Sequence, residues 1–393
     1  MSLHAFDDEA CSRLAAAHGT PLFAYHGPTA AAAWKRLRAA LPARVRLAYA
    51  VKANPHPSLL ALYAALGASF DCASQGELWR VAELGLTPDR IFFAGPGKRE
   101  EELALALELD ARVQAESWED LARLDALAGV PLALTPEVDT PLRVNLRVHP
   151  RQGAEETTRI LGGVGPSAFG VDEEDVAELI ERSRSLRYVR VSGLHVFAAS
   201  NQRDVTKLLA THAMVFDLAR RLALDHGVDL EQVDLGGGLG VPYAAGEEPL
   251  DVEALGSGLA SLFAEHAWFQ GEVVLEPGRY LAAACGIYLA RVVRVKLSRG
   301  TLFAVLEGGI NHLLRPHLTG QPFPVKAVGK LGSLEPTTLA GPLCTSLDRL
   351  GVVDLPPLAP GDLLAFGMTG AYGFTEGMTH FLSHPTPPEV WVE

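Results

Sequence analysis

Lys52 is the residue whose position most clearly predicts chemistry. It follows a mostly apolar run, from Val45 to Val51, that has the composition of a buried strand. An amine at the mouth of an apolar scaffold forms Schiff bases readily, because desolvation favours its neutral, nucleophilic form. Most lysines just past a strand are solvated loop residues, so the interpretation depends on the residues that accompany Lys52.

Other chemically active residues occupy corresponding places farther along the chain, at or just after strand-like runs. The set is Asp71 with Glu77 nearby, Arg147, His195, the glycine-rich loop of Gly236, Gly237 and Gly238, and Glu276 with Gly278 and Arg279. Glycine loops let backbone N–H groups approach a phosphate, an imidazole can stack on a ring, and a carboxylate can keep a pyridine nitrogen protonated. Each residue also has a structural alternative, but together they suit pyridoxal phosphate.

Two further motifs lie near the C-terminus. Cys344 stands in the Gly- and Pro-bounded loop Gly341–Asp348, where a thiol can donate a proton. Tyr372 lies between glycines in Gly370–Phe374, where its hydroxyl could reach a phosphate. A buried inert cysteine and an aromatic plug in a turn are the alternatives.

Strand-like and helical runs alternate eight times between Val45 and Glu276. The predicted strands are Val45–Val51, Ala68–Asp71, Arg90–Ala94, Arg112–Ala115, Leu142–Val148, Tyr188–His195, Gln232–Leu235 and Glu272–Leu275. This rhythm predicts an α/β fold with a (β/α)8 barrel over residues 26–276, in which function lies at the carboxyl ends of the strands. A doubly wound sheet is the alternative.

The rhythm changes after Glu276 to short strand-like runs separated by Gly and Pro. The runs are Val292–Leu297, Thr301–Leu306, Val325–Val328, Leu363–Ala365 and Glu389–Val392. They predict a second, all-β domain over residues 277–393, which the strand-like segment Pro21–Tyr25 would join together with the rest of residues 1–25.

Composition excludes several classes of partner. The chain has 393 residues and a formal net charge of −13, with no basic block, so nucleic acid and anionic membranes are poor partners. The N-terminal residues lack the pattern of a signal peptide, and the longest apolar stretch, Tyr280 to Ala290, is too short to span a bilayer. Four widely spaced cysteines without metal-type spacing predict a cytoplasmic protein with reduced thiols and no metal site.

As an ordered set, these motifs resemble the fold-type III pyridoxal-phosphate decarboxylases. That family includes the diaminopimelate, ornithine and arginine decarboxylases, with alanine racemase as a more distant barrel relative. The motifs are Tyr49–Asn54, Phe70–Glu77, Leu194–His195, Gly236–Gly238, Glu276–Tyr280, Gly341–Cys344 and Gly370–Tyr372. They extend over nearly the whole chain.

The resemblance implies a role for each residue. Lys52 would hold pyridoxal 5'-phosphate, His195 would stack on its ring and Glu276 would pair with its nitrogen. The phosphate would be surrounded by Ser200, Gly236, Gly237, Gly238, Gly278, Arg279 and Tyr372, and the charges of Asp71, Glu77 and Arg147 would support the lysine. Members are usually head-to-tail homodimers, so Cys344 would enter the partner's site and protonate Cα after carbon dioxide leaves.

Departures from the family pattern concern the substrate. Diaminopimelate and polyamine enzymes commonly have an acid directly after the cysteine, to hold a distal ammonium, whereas this chain has Thr345. Asp348 lies near enough in sequence to replace that acid. Arg315 is retained, but Thr319 stands where the diaminopimelate enzymes have a tyrosine. These features resemble a branch of siderophore-pathway decarboxylases and of decarboxylases linked to exosortase or carrier-protein systems.

We therefore predict a decarboxylase that removes the α-carboxylate of an amino acid or an amino-acid conjugate. The conjugate could be a siderophore precursor such as a citrate–diamino-acid conjugate, with its distal end bound by Arg279, Arg315, Thr345, Asp348 and Tyr372. Alternatives are diaminopimelate, ornithine or lysine decarboxylation, racemisation on the same cofactor, and a non-catalytic regulatory homologue. Glu276 argues against racemisation, because racemases tend to leave the pyridine nitrogen poorly protonated. The joint retention of Lys52, His195, Glu276 and Cys344 argues against a regulatory role.

Overall fold

The computed structural model describes residues 6–129, 141–151, 165–197 and 200–393. Its strands, in chain order, are β1 (Leu22–His26), β2 (Val45–Ala50), β3 (Ser69–Cys72), β4 (Ile91–Phe93), β5 (Arg112–Ala115), β6 (Leu142–His149), β7 (Val171–Asp172), β8 (Val189–His195), β9 (Gln232–Asp234), β10 (Glu272–Leu275), β11 (Gly286–Ser298), β12 (Thr301–Leu306), β13 (Val325–Ala327), β14 (Glu335–Ala340), β15 (Arg349–Leu355), β16 (Leu363–Phe366) and β17 (Glu389–Val392). Its helices are α1 (Asp8–His18), α2 (Gly27–Ala40), α3 (Pro57–Ala65), α4 (Gln75–Ala82), α5 (Glu100–Glu108), α6 (Trp118–Ala128), α7 (Val176–Ser183), α8 (Val205–His226), α9 (Val252–Glu265), α10 (Arg279–Ala282) and α11 (Arg315–Thr319). Within these described residues, no helix is both long and apolar enough to cross a bilayer.

The chain divides into two compact units. The barrel unit comprises Trp34–Gly240 and Leu250–Gly278, and the sheet unit comprises Met1–Ala33, Val241–Pro249 and Arg279–Glu393. The short segment Val241–Pro249 therefore leaves the barrel unit directly after the glycine-rich loop and returns to it before α9.

The barrel unit is built on eight parallel strands that form a closed ring. Their order is β5, β4, β3, β2, β10, β9, β8 and β6, and the pairing of β5 with β6 closes the ring. The two-residue strand β7 pairs with the carboxyl end of β6. This closure confirms the predicted (β/α)8 barrel and excludes the doubly wound sheet, which keeps two free edges.

Short, capped connections fix the carboxyl ends of several barrel strands. After β3, Ser74 accepts a hydrogen bond from the N–H of Glu77 and so begins α4. After β5, Ser117 accepts one from the N–H of Asp120 and begins α6. Side-chain oxygens at these positions satisfy the first N–H groups of each helix. The residues between strand and cap are thereby held at one end of the barrel.

The sheet unit contains one mixed sheet with the order β13, β16, β11, β12, β14 and β15, and β1 pairs with both β11 and β17. Helix α1 packs on this sheet, with Cys11 and Ala15 buried in the same apolar cluster as Leu22 and Ile287. The observed strand β11, Gly286–Ser298, is longer than the predicted strand Val292–Leu297. Its first residues belong to the apolar stretch from Tyr280 to Ala290, which the sequence pattern does not mark as a strand. Strands β14 and β15 and helix α1 were not predicted.

Candidate active site

Lys52 lies in a short 3-10 turn, Val51–Ala53, directly after β2. Its Nζ donates a hydrogen bond to Oδ2 of Asp71, 3.1 Å away on the neighbouring strand β3. The Asp71 side chain is fully buried, whereas that of Lys52 is 37% exposed. Nζ also lies 5.9 Å from the centre of the Phe197 ring. The amine is therefore oriented by a buried acid and remains accessible at the barrel mouth.

Three buried side chains converge beside this lysine from the ends of β8, β9 and β10. They are His195, Asp234 and Glu276. One imidazole nitrogen of the histidine and one carboxyl oxygen of each acid all lie within 4.8 Å of one another. Nε2 of His195 is 3.3 Å from Oε2 of Glu276, without the alignment of a hydrogen bond. Asp234 accepts hydrogen bonds from Nε2 of Gln114 and from the N–H of Gly236.

The pKa values of the three buried carboxyl groups are shifted in opposite directions. Burial raises the pKa of Asp71 and raises that of Asp234 well above its usual range, and the charge of Glu276 adds to both shifts. Burial also opposes ionisation of Glu276, but its interactions with His195, Lys52 and Arg147 lower the pKa of Glu276 to about 2. Glu276 is therefore the carboxyl of the three that ionises most readily. Its Oε1 is buried without a hydrogen-bond partner among the described residues.

The glycine-rich loop has no room for side chains. Gly236 has a φ of +68°, and a Cβ there would lie 2.8 Å from the carbonyl oxygen of Val196. A Cβ on Gly237 would lie 2.5 Å from the carbonyl oxygen of Glu276. Gly238 also has a positive φ, of +89°. The backbone of this loop is pressed between the chain segments that follow β8 and β10.

Two neighbouring segments complete this edge of the barrel. The N–H of Gln202 donates to the carbonyl oxygen of Gly238, which places Ser200 beside the glycine-rich loop. The two residues before Ser200 lie outside the described part of the chain. A Cβ on Gly278 would lie 2.9 Å from the Cβ of Ala53, so this glycine lets the segment after β10 pack against the turn that carries Lys52.

Arg147 is held in place by a second group of buried charges. Its Nη1 lies 3.0 Å from Oε1 of Glu116. The two oxygens of that carboxylate also accept hydrogen bonds from the N–H groups of Gly95 and Gly170. Lys98 lies 3.8 Å from the same carboxylate.

Glu77, which accepts a hydrogen bond from the N–H of Ala73 at 2.7 Å, is half-buried, and burial raises its pKa to about 7.

The sheet unit holds a separate cluster of arginines and tyrosines. Nη1 of Arg279 donates to the hydroxyl of Tyr243 at 2.9 Å, and its guanidinium lies 4.6 Å from the ring centre of Tyr372. The guanidinium of Arg315 lies 5.5 Å and 5.9 Å from the ring centres of Tyr372 and Tyr243. Both arginines are more than nine-tenths buried. Nη1 of Arg315 also lies 3.8 Å from Oε2 of Glu376.

The loop that carries Cys344 connects β14 to β15, and Cys344 is exposed at its surface. Asp348 is buried, and its two oxygens accept hydrogen bonds from the N–H groups of Ile310 and Leu343. Oγ1 of Thr345 accepts a hydrogen bond from the N–H of Leu347 at 3.2 Å. Asp348 thus shapes the loop, and its carboxylate is already engaged by backbone groups.

Comparison with known families decides what this arrangement is. The pyridoxal binding domain of the pyridoxal-dependent decarboxylases matches residues 29–283, and their C-terminal sheet domain matches residues 213–370. The chain belongs to the pyridoxal-dependent decarboxylases. The cofactor of this decarboxylase is pyridoxal 5'-phosphate, as the sequence motifs predicted. Its predicted place in the siderophore or exosortase branch remains a prediction.

The relatives of this decarboxylase cover nearly its full length. It is 31% identical to the L-glutamyl-[BtrI acyl-carrier protein] decarboxylase of Niallia circulans, over 94% of this chain and 88% of that one. It is 32% identical to the diaminopimelate decarboxylase of Methanothermobacter thermautotrophicus, over 96% and 88%. Among solved structures, diaminopimelate decarboxylase from Helicobacter pylori complexed with L-lysine is 27% identical with a TM-score of 0.87, over 97% of this chain and 94% of that one.

The geometry of the decarboxylase fits its cofactor. The buried, unpaired Oε1 of ionised Glu276 is the acceptor that a protonated pyridine nitrogen requires. The glycine-rich loop offers only backbone where a phosphate must approach closely. When bound, pyridoxal phosphate supplies a ring that accepts the electrons released at Cα. The accessible amine of Lys52 would hold it.

The structure brings together more residues than the sequence predicted. Lys52, Asp71, Arg147, His195, Glu276 and the glycines lie in the barrel unit, whereas Arg279, Arg315 and Tyr372 cluster in the sheet unit. The sequence motifs did not include four residues of these clusters, Glu116, Asp234, Tyr243 and Glu376. Asp234 and Glu116 end or follow a barrel strand, so the same strand-end criterion that selected His195 could have found them.

Proposed function

We propose that this decarboxylase acts on a free amino acid whose far end carries a second carboxylate, with a diamino dicarboxylic acid such as diaminopimelate as the best candidate. The observation that carries the proposal is the pair of buried arginines, Arg279 and Arg315, that share the rings of Tyr243 and Tyr372. A guanidinium can bind a carboxylate through two parallel hydrogen bonds. Several relatives are diaminopimelate decarboxylases, which supports the same substrate class.

Chain connectivity links this cluster to the barrel. Tyr243 follows Gly240 by three residues, and Arg279 follows Gly278 directly. Both side chains thus come from the two segments that also carry the glycine-rich loop and Glu276. We therefore assign the arginine cluster to the same reaction as Lys52.

In the proposed reaction, Lys52 would hold the cofactor, Glu276 would keep the pyridine nitrogen protonated and His195 would pack against the ring. The N–H of Gly236 is bonded to Asp234, so within this loop Gly237 and Gly238 are the proposed phosphate ligands. Ser200, Arg279 and Tyr372 would complete the phosphate site, which leaves Arg315 as the arginine for the distal carboxylate. Cys344 of the partner subunit would donate a proton to Cα after carbon dioxide leaves.

A second candidate keeps the distal acid but attaches it to a carrier or to another acid. Thr345 supports it, because an ammonium-binding acid is missing directly after Cys344. The relative named for a carrier-bound L-glutamyl group supports it as well. The citrate–diamino-acid conjugate expected from sequence belongs to this second class, and the comparisons give it no specific support.

A carbon-dioxide-release assay on the holoenzyme tests the proposed function. The substrates are meso-diaminopimelate, 2-aminopimelate, lysine, ornithine, a citrate–lysine conjugate and a carrier-bound glutamyl group. We expect the highest kcat/KM on diaminopimelate, and a loss of about 10- to 150-fold in Arg315→Ala, the range of one charge-assisted hydrogen bond. Arg294→Ala, which removes an exposed arginine of β11, is the matched control. Efficient turnover of lysine or ornithine, together with no turnover of any substrate that has a second carboxylate at its far end, would refute the proposal.

A further inference from the structure

Glu376 is a half-buried acid that neither the sequence motifs nor the proposed reaction uses. Its Oε2 is buried and has no hydrogen-bond partner among the described residues. Within the described part of the chain, its ion pair is with Arg315, at a separation of 3.8 Å, which is too long for a hydrogen bond. A carboxylate oxygen left in this state is costly unless a ligand completes its environment.

The backbone around Glu376 is tightly fixed. The N–H of Met378 donates to the carbonyl oxygen of Ile310 at 3.2 Å. A Cβ on Gly377 would lie 2.5 Å from the carbonyl oxygen of Asn311, so only glycine allows this approach. Glu376 is therefore positioned by the segment Gly309–Asn311.

The same segment also fixes other residues near the place proposed for the far end of the substrate. The N–H of Ile310 donates to Asp348, whose carboxylate shapes the loop of Cys344 and Thr345. The turn that begins at Gly309 leads within six residues to Arg315 in α11. One short segment therefore holds together Glu376, Arg315 and the loop in which Thr345 replaces the family's acid.

We propose that Glu376 is a specificity-determining residue that binds a distal ammonium, while Arg315 beside it binds the distal carboxylate. This inference rests on the proposed function, and it specifies the substrate as one whose far end is itself an α-amino-acid group. An ammonium bound beside Glu376 would give its Oε2 the donor that it lacks. Glu376 would thus replace the acid that is missing at Thr345.

Binding of two ligands that differ only in the distal ammonium tests the inference. L-lysine carries that ammonium beside its carboxylate, and 6-aminohexanoate has the carboxylate alone. We expect calorimetry on the holoenzyme to show that Glu376→Gln weakens L-lysine about 10- to 150-fold and changes 6-aminohexanoate less than threefold. Glu376→Asp should retain part of the preference for L-lysine. Glu335→Gln, at an exposed position of β14, should change neither ligand.

The possible results separate the two proposals. An equal loss for both ligands in Glu376→Gln would mean that Glu376 only orients Arg315, and this would overturn the inference. A wild-type enzyme that binds 6-aminohexanoate as tightly as L-lysine would overturn it as well. These binding constants do not depend on turnover, so failure of the proposed function appears separately, in the carbon-dioxide assay.

Discussion

At the scale of single residues, the site contains neighbouring carboxyl groups whose pKa values are shifted in opposite directions. Asp234 and Asp71 have raised pKa values because they are buried and lie near Glu276, whereas Glu276 is ionised. Ionised Glu276 thereby lies beside His195, while Asp71 accepts a hydrogen bond from Lys52. Groups whose environments separate their pKa values in this way can take different roles in one reaction.

Glu77 should make stability depend on pH. Burial raises its pKa from 4.5 to about 7, so the folded protein keeps a proton that the unfolded chain releases. The contribution of Glu77 is fully present below pH 4.5 and declines as pH rises to 7. The variant Glu77→Gln has no titrating group at this position. The difference between its free energy of unfolding and that of wild type should therefore shift in favour of the variant by roughly 1–3 kcal/mol between pH 5 and pH 8, after allowance for solvent screening.

Urea unfolding of the cofactor-free proteins at pH 5, 6, 7 and 8 measures this difference. Glu83→Gln, at an exposed position just after the same helix, is the control and should show no such trend. A gap between Glu77→Gln and wild type that is equal at pH 5 and pH 8 would contradict the assignment.

Which site residues the sequence could predict depended on how they are positioned. Lys52, His195 and Glu276 follow apolar strands, so the barrel pattern alone placed them at one end. Tyr243 and Glu376 lie in irregular segments, and their roles follow from contacts with Arg279 and Arg315 that are distant in sequence. Local pattern carries no information on such contacts.

At the scale of elements, the parallel barrel strands were predictable and strands β14 and β15 of the second sheet were not. Barrel strands are apolar runs, and none of the predicted bounds of the eight strands differs from the observed bound by more than one residue. Strands β14 and β15 contain polar and exposed residues, such as Glu335 and Arg349, so no continuous apolar run marks them. Helix α1 has only two buried residues, which gives a weak helical pattern.

The glycine-rich loop gives a prediction at this scale. In Gly237→Ala, the new Cβ would meet the carbonyl oxygen of Glu276, so the loop or the end of β10 must shift. We expect the dissociation constant for pyridoxal phosphate to rise at least about tenfold, a cost within the range of about 1–3 kcal/mol for overpacking. Absorbance titration of the cofactor-free protein measures it. Gly97→Ala, where a Cβ meets nothing within 4 Å, is the control, and equal affinities in both variants would refute this role of Gly237.

At the scale of the whole molecule, Cys344 predicts that the enzyme is a homodimer with shared sites. Its thiol is exposed, while the described cysteines Cys11, Cys72 and Cys285 are buried. An exposed thiol in a fixed loop can serve a second subunit, which is what the family resemblance implies for Cys344.

Mixed dimers test this sharing. Lys52→Ala and Cys344→Ala homodimers should each have little activity, but half of the randomly mixed dimers would contain one intact site. The mixture should therefore recover about one quarter of wild-type activity. Activity that stays at the level of the separate variants after subunit exchange would show that Cys344 serves the site of its own chain, or none.

The identity of the lysine that binds the cofactor tests the central claim most directly. The chain has seven lysines, and the account assigns the role to Lys52 alone. Borohydride reduction of the holoenzyme followed by peptide mass spectrometry should find the pyridoxyl group on Lys52. Lys52→Ala should lose that label and the visible absorbance band, whereas Lys207→Ala, at an exposed position of α8, should keep both. A label on another lysine of the wild-type enzyme, or a labelled Lys52→Ala variant that still decarboxylates, would contradict the account.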